Sequence, residues 1–296
     1  MENLKQSAIS KSRSYTACLS EAHRMLFDNI KLIFSRSWMY CAALAIILSA
    51  YLSIYINAML YGYTTTLMWW AVFVSILALC AGVAYHARIM HLINGHSMKW
   101  NIIRYSTVTG CYIALVLLIS LIYAAVIYGV VMVKQPVNIL QLQPLLITLA
   151  GVYVVILLLL LPYVYGIMKY LMEPECTLKE MIFKSYKAGM RHWGLIFIAL
   201  FLTILCIMVC AMLVSIPMFI VTTANALSVF GVNFLGDPTG LPSYFIAIQV
   251  IVFALTFFIW AYINIFTIFV CYFLYGSIKT KEKEKIEAEK ELATSN

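Results

Sequence analysis

Residues 178–193 read LKEMIFKSYKAGMRHW, and the apolar run GLIFIALFLTILCIMVCAML follows directly at 194–213. Apolar or small residues recur in the first segment at spacings of three and four, at Leu178, Met181, Ile182, Tyr186, Gly189, Met190 and Trp193. Lys184, Lys187 and Arg191 fall on the opposite side of a helix built from this segment. The pattern predicts a basic amphipathic helix that lies at the membrane surface and leads into a membrane-spanning helix.

The composition extends this reading to the whole chain. Of the 296 residues, 64% are hydrophobic and 11% charged, with a mean hydropathy of +0.94. A soluble domain is about 45–50% apolar and about 25% charged. Six segments are long enough to cross a bilayer, at 38–60, 66–87, 107–133, 145–171, 194–222 and 243–276. We therefore expect an all-α polytopic membrane helix bundle without a cleaved signal peptide, in which the first span acts as the insertion signal.

The predicted domain boundaries follow the spans. An N-terminal segment with an amphipathic helix covers 1–37, the six-span domain covers 38–276, and a charged tail covers 277–296. The tail is expected to continue the sixth helix, either as a solvated helix or as a docking site for a soluble partner.

Turn-forming residues predict the connections between the spans. A tight hairpin is expected at 61–65, helix breaks at Pro136 and Pro144, and kinks at Pro162 and Pro217. The Gly/Pro-rich segment between the fifth and sixth spans is expected to be a loop, with Asp237 in a turn.

The distribution of basic residues predicts the orientation. Nineteen of the twenty Lys and Arg residues lie in the termini or in the second and fourth connections, and Lys134 is the exception. By the positive-inside rule, both termini are cytoplasmic, and we expect a multi-pass protein of the bacterial inner (plasma) membrane. A net charge of +8 on one membrane face favours anionic lipids as partners, and no nucleic acid is expected.

A second stretch resembles the first. Residues 19–38 read LSEAHRMLFDNIKLIFSRSW, and Trp38 follows Arg36 by two positions, as Trp193 follows Arg191. Residues 88–106 form a weaker third candidate, which Gly95 interrupts. Two explanations account for the similarity of these stretches. One is an internal repeat, and the other is independent enrichment of basic residues and tryptophan before each span. The residues predicted to contact lipid headgroups are Arg36, Trp38, Lys184, Lys187, Arg191 and Trp193.

The same layout carries a family resemblance. The matching residues are Leu19-Ser20-Glu21 leading to Trp38, and Thr177-Leu178-Lys179-Glu180 leading to Trp193. In this layout the chain resembles bacterial multispanning proteins of unknown function and the membrane region fused to some glycerophosphodiester phosphodiesterases. The resemblance implies an arrangement of amphipathic helices and spans. It implies no catalytic residue, since the soluble phosphodiesterase domain is absent.

The sequence contains few candidates for chemistry. No Asp, Glu, Lys or Arg lies in the interior of a predicted span, which disfavours proton-coupled carriers and intramembrane hydrolases. His86, His91 and His96 are five residues apart, a spacing that turns them to different faces of a helix. The eight cysteines include no CxxC pair. We expect no catalytic residues, no metal site, no cofactor and no disulfide framework.

Uncharged polar residues do occur within the spans. Ser49, Ser53 and Asn57 share one face of the first span, and Gln249, Thr256 and Asn264 follow a looser stripe in the sixth. Such residues hydrogen-bond between packed helices or line a polar passage, and packing is the favoured interpretation.

The predicted function is a non-enzymatic membrane protein with an organising, accessory or lipid-interacting role. The alternative is a small transporter or permease component for an uncharged or amphipathic substrate. A weaker alternative is a membrane enzyme with a cytoplasmic-face site around His91, His96 and His192. Whether the chain binds a protein partner or forms a homo-oligomer is left open.

Overall fold

The computed structural model describes residues 11–133, 139–236 and 240–295. These residues form α-helices and two single turns of π-helix, and no strand occurs among them. The α-helices are α1 (Tyr15–Asp28), α2 (Ile30–Tyr61), α3 (Thr65–Asn94), α4 (Met98–Val133), α5 (Ile139–Leu160), α6 (Tyr163–Met172), α7 (Ser185–Arg191), α8 (Trp193–Phe230) and α9 (Phe245–Ser295). The π-helical turns are Glu180–Lys184 and Gly231–Leu235. Six helices, α2, α3, α4, α5, α8 and α9, are long and apolar enough to cross a membrane, which confirms the predicted fold class.

The chain divides into two compact units. Of the described residues, the first unit contains 16–102, 199–236 and 240–273, and the second contains 11–15, 103–133, 139–198 and 274–295.

In the first unit, the tight hairpin between the first two spans is confirmed. Helix α2 ends at Tyr61, and Gly62 has a positive φ of 96°, which favours glycine. The Thr64 side chain then accepts a hydrogen bond of 3.2 Å from the Leu67 amide and caps the start of α3. Helices α2 and α3 therefore pack side by side.

Helix α9 packs in the same unit through polar contacts to both arms of the hairpin. The Tyr85 hydroxyl of α3 donates to the Ala261 carbonyl at 2.9 Å, and the Ser37 hydroxyl of α2 lies 3.2 Å from that of Tyr262. Buried aromatic residues of α9, including Phe253 and Phe269, fill the interior. Aromatic packing and a few satisfied hydroxyls thus hold these helices together.

Two predicted amphipathic segments are divided differently in the structure. Helix α1 ends at Asp28. The Asn29 side-chain amide donates a hydrogen bond of 2.8 Å to the Met25 carbonyl, and it competes there with the backbone N–H that would continue the helix. The stretch 19–38 is therefore divided between α1 and the start of α2. Residues 88–106 are shared between the end of α3 and the start of α4, separated at the left-handed Gly95, so they contain no separate third helix.

The prolines had mixed effects. The predicted break at Pro144 is wrong, because Pro144 is the sixth residue of α5, where its missing N–H removes a single hydrogen bond close to the helix start. Pro217 lies inside the uninterrupted helix α8, which continues to Phe230 and shortens the predicted loop after it. Pro162 lies where α5 ends and α6 begins, so the helix is interrupted there, whereas the prediction was a kink within one span over 145–171. Lys134, Pro136 and Asp237 lie outside the described residues.

In the second unit, side chains from the segment 178–193 form hydrogen bonds to the break at Pro162. Proline has no backbone N–H, so the Leu158 carbonyl four residues earlier has no helical partner. The Trp193 indole N–H donates to that carbonyl at 3.1 Å. The Tyr186 hydroxyl donates to the neighbouring Leu159 carbonyl, also at 3.1 Å. Both carbonyls at the break are thereby satisfied by side chains from residues 178–193.

Glycine allows α6 and α7 to approach closely at the same place. A Cβ atom on Gly189 would overlap the Pro162 carbonyl oxygen and lie 3.0 Å from the carbonyl carbon. A Cβ on Gly166 of α6 would lie 2.8 Å from the Met181 carbonyl oxygen. Gly166 on α6 and the small residues Ser185 and Gly189, four apart on α7, bring the backbones together in the manner of membrane helix pairs.

The apolar residues of the segment contact protein. Met181 is buried in a cluster with Tyr170 and Cys176, and Leu178 and Ile182 pack against that cluster. The face buried along α7 is Met181, Ser185 and Gly189, whereas Met190, predicted on the apolar face, is 41% exposed. The predicted helix thus exists, but its buried face is narrower and shifted, because close backbone packing selects small side chains.

We expect Gly189→Ala to lower the free energy of unfolding by about 1–3 kcal/mol, since the added methyl forces α7 away from Pro162. The measurement is the thermal unfolding midpoint in detergent micelles. Gly194→Ala is the matched control, because a Cβ there meets no atom within 4 Å. Equal midpoints for the two variants would contradict the close packing of α6 and α7.

Candidate functional site

The turn after α6, at residues 173–176, is held by one arginine. Nη1 of Arg104 donates to the carbonyls of Tyr170, Glu173 and Cys176 at 2.6, 3.2 and 2.9 Å, and Nη2 donates to the Pro174 carbonyl. The guanidinium carbon lies 4.2 Å from the centroid of the Tyr170 ring. A cation at a helix C-terminus is stabilised by the exposed carbonyls. Sequence reasoning counted Arg104 only as a topology signal and missed this role.

Glu173, in the same turn, binds the extension of α9. Its carboxylate accepts from the Tyr275 hydroxyl and the Lys279 ammonium, each at 2.6 Å, and lies 3.9 Å from Lys169 Nζ. Lys169 also pairs with Glu180 at 2.9 Å. Partial burial acts to raise the pKa of the Glu173 carboxyl. The hydrogen bonds and charges of Lys279, Tyr275 and Lys169 outweigh it and lower the pKa, so the group is ionised at neutral pH.

Glu282 makes a second connection to α9. One carboxylate oxygen accepts from Arg191 at 2.7 Å, and the other lies 3.0 Å from Nε2 of His192. Arg191 and His192 stand at the end of α7, so this contact ties the charged tail to the segment 178–193. The predicted continuation of the sixth helix into the tail is confirmed, and the tail is partly docked within its own unit.

These groups border a groove of about 710 Å³. Its described lining is Tyr165, Lys169, Glu173, Pro174, Glu175, Lys279, Glu282, Lys283, Ile286, Glu287 and Lys290. Four lysines and four glutamates give the lining a formal charge of zero. Because most of these charges already have partners, the groove works as a set of structural ion pairs and offers no excess charge to a ligand.

The histidines of the weaker enzyme alternative are occupied locally. Nδ1 of His91 lies within hydrogen-bond distance of the His96 carbonyl, and the His96 ring contacts the Trp100 ring, with centroids 4.3 Å apart. His192 does meet a carboxylate, but Arg191 shares that carboxylate. Among the residues that the structure describes, no group of three or more His, Cys, Asp or Glu is arranged to hold a metal ion.

The predicted headgroup residues of the first unit lie beside an additional arginine. Nε of Arg88 donates to the Arg36 backbone carbonyl at 2.9 Å, and its guanidinium carbon lies 6.0 Å from the Tyr40 ring centroid. Trp38 is 47% exposed. Within the described parts of the chain, neither Arg36 nor Arg88 forms an ion pair. Two guanidinium groups thus lie on adjacent helices without a neutralising carboxylate.

Of the headgroup residues predicted in the second unit, two are exposed and two contact other groups of the protein. Lys184 and Lys187 are exposed and make no ion pair with any described residue, and Phe183 next to them is 68% exposed. Arg191 instead pairs with Glu282, and Trp193 donates its N–H to a backbone carbonyl. Sequence alone could not separate these roles, because they depend on distant partners.

The polar residues predicted within the spans differ in how deeply they are buried. Ser49, Ser53, Gln249 and Thr256 are buried in the first unit, Asn57 is half-buried and Asn264 is exposed. The hydroxyls of Ser49 and Thr256 and the amide of Asn264 bond carbonyls of their own helices. Gln249 instead bonds another helix, since its Oε1 accepts a hydrogen bond of 3.1 Å from the Asn225 side-chain amide of α8. The prediction missed Asn225 because it placed this residue in a loop.

A second cavity, of about 300 Å³, lies beside this amide pair. Its described lining is Asn57, Tyr61, Asn225, Leu241, Pro242, Ser243, Phe245 and Ile246. The cavity joins α2, α8 and the start of α9 within the first unit, and its described lining contains no charged residue.

We expect Arg104→Lys to lower the free energy of unfolding by roughly 1.5–3 kcal/mol, since lysine lacks the planar fork that reaches four carbonyls. Circular dichroism during thermal unfolding measures the change. Lys99→Gln, an exposed basic position on the same helix, is the control and should leave the midpoint unchanged. A midpoint equally unchanged in Arg104→Lys would show that the fork geometry is dispensable.

Comparison with known proteins adds no relative. No protein-family model matches the chain, and no curated protein or solved structure shows significant similarity to it. The resemblance to the membrane region of glycerophosphodiester phosphodiesterases therefore stays a prediction about layout.

Proposed function

We propose that the chain is a non-enzymatic integral protein of the bacterial inner membrane, with both termini cytoplasmic. Its role is organising or accessory and works through anionic lipids bound at the cytoplasmic face. The distribution of Lys and Arg supports this orientation. The fold supports the multi-pass placement, since six helices are suited to cross a membrane.

The observation that carries the lipid-binding proposal is the Arg36–Arg88 pair. The Arg88 guanidinium lies against the Arg36 backbone, and no described carboxylate neutralises either charge. Basic side chains near a membrane surface that have no carboxylate partner attract anionic headgroups. An anionic phospholipid supplies such a headgroup at this depth, and the exposed Trp38 fits the interfacial belt.

The exposed face of α7 and the preceding turn gives the proposal a second support. Lys184 and Lys187 point away from the buried face and accompany the exposed Phe183. A basic surface with an exposed aromatic side chain is typical of segments that contact anionic headgroups. The charges of the neighbouring groove are internally paired and add nothing to this surface.

The second candidate function is a small transporter or permease component for an uncharged or amphipathic substrate. The neutral cavity beside Asn225 supports it. The enzyme alternative is supported only by the contact between His192 and Glu282, in which Arg191 competes for the carboxylate.

We expect the purified full-length protein to retain phosphatidylglycerol in preference to phosphatidylcholine in native mass spectrometry. The double variant Arg36→Gln/Arg88→Gln should weaken phosphatidylglycerol binding about thirtyfold, on the basis of about 1 kcal/mol for each basic residue near the surface. Arg24→Gln is the control, because Arg24 already pairs with Glu21 at 2.9 Å. Equal retention of both lipids by the native chain, or unchanged selectivity in the double variant, would overturn the proposal.

A further inference from the structure

Asn225, which lines the cavity of the first unit, and its hydrogen-bond partner Gln249 each keep a polar atom without a partner among the described residues. Asn225 is 4% exposed and donates its amide N–H to Gln249, while no described residue donates to its side-chain oxygen. Gln249 is fully buried, and its Nε2 has no hydrogen-bond partner among the described residues. A buried amide group without a hydrogen-bond partner is destabilising, so a ligand that supplies the missing partner would bind favourably here.

A second amide in the cavity lining comes from α2. Asn57 of α2 lines the cavity, is half-buried and makes no hydrogen bond to another described residue. The hydroxyls of Tyr61 and Ser243 are also in the lining. Donors and acceptors from three separate segments therefore converge on one space.

The remaining lining sets the chemical class of the occupant. Leu241, Pro242, Phe245 and Ile246 supply apolar walls. Since the described lining contains no charged side chain, an ionic ligand would lose hydration without a compensating charge. A volume of about 300 Å³ corresponds to the lower end of the range of about 300–1,000 Å³ for small-molecule sites.

From these contacts we propose that the first unit contains a binding site for a small uncharged polar solute. The Asn57 and Asn225 side chains hydrogen-bond its donor and acceptor groups, and the apolar walls cover its carbon atoms. Amides and polyols have the required chemistry. The site is independent of lipid binding at the Arg36–Arg88 pair, so either proposal can fail alone.

The test uses the full-length protein in lipid nanodiscs with Leu241→Cys as a reporter in the lining. The neutral reagent hydroxyethyl methanethiosulfonate labels the cysteine, and peptide-resolved mass spectrometry separates it from the native cysteines. Acetamide and glycerol are the probes. We expect at least one of them to slow labelling saturably, by about fivefold at four times its apparent Kd, because only the unoccupied fraction reacts.

Matched variants test whether the slower labelling arises from binding in the cavity. Ile248→Cys on α9 is the reporter control, because Ile248 is 41% exposed but lies outside the lining, and its labelling should not respond to the probes. Asn225→Leu and Asn57→Leu, on different helices, should each remove the protection of Leu241→Cys. Thr223→Leu, an exposed neighbour on α8, should leave it unchanged.

Several results would overturn the site. They are unchanged labelling of Leu241→Cys in both probes, equal slowing at Ile248→Cys, and full protection that persists in both leucine variants. A cavity that holds only water gives the first of these results. Size-exclusion profiles establish that each variant is folded, and Asn57→Leu carries the test if Asn225→Leu does not fold.

Discussion

The carbonyl of Leu158 has no backbone partner, because the residue four positions later is Pro162, and the indole N–H of Trp193 replaces the missing bond. In a bilayer, an unsatisfied carbonyl would cost several kcal/mol, so the break in the fourth span depends on this side chain. Gly189 allows the approach that makes the bond short. The position of α7, and with it the start of α8, follows from this repair of a broken helix.

The ends of the helices contain two kinds of cation. Arg104, Lys169 and Arg191 are bound to carbonyls or carboxylates of their own unit and hold the turn after α6, the π-helical turn and the tail in place. Arg36 and Lys184 make no ion pair with a described residue. The basic residues at the helix ends are therefore of two kinds, those held by groups of their own unit and those without an ion pair among the described residues.

The sequence predicted the features that depend on neighbouring residues, and it did not predict the contacts between residues far apart in the chain. Hydrophobic length predicted the six spans, and proline chemistry predicted a distortion at Pro162, since both act locally, although the distortion is an interruption of the helix and not the predicted kink. The end of α1 at Asn29 was missed because it depends on a side chain competing with the backbone. Arg104 and the pair Asn225–Gln249 were missed because their partners lie 24 to 72 residues away, and no periodicity encodes such contacts.

The most direct test of this account is a double-mutant cycle between Trp193→Phe and Pro162→Ala, with free energies of unfolding measured in the same detergent. Phenylalanine keeps the ring but loses the N–H, and alanine restores a backbone donor for the Leu158 carbonyl. We expect Trp193→Phe to cost about 1–3 kcal/mol in the native background and at least about 1 kcal/mol less beside Pro162→Ala. Additive effects would contradict the claim that Trp193 replaces the hydrogen bond that Pro162 removes.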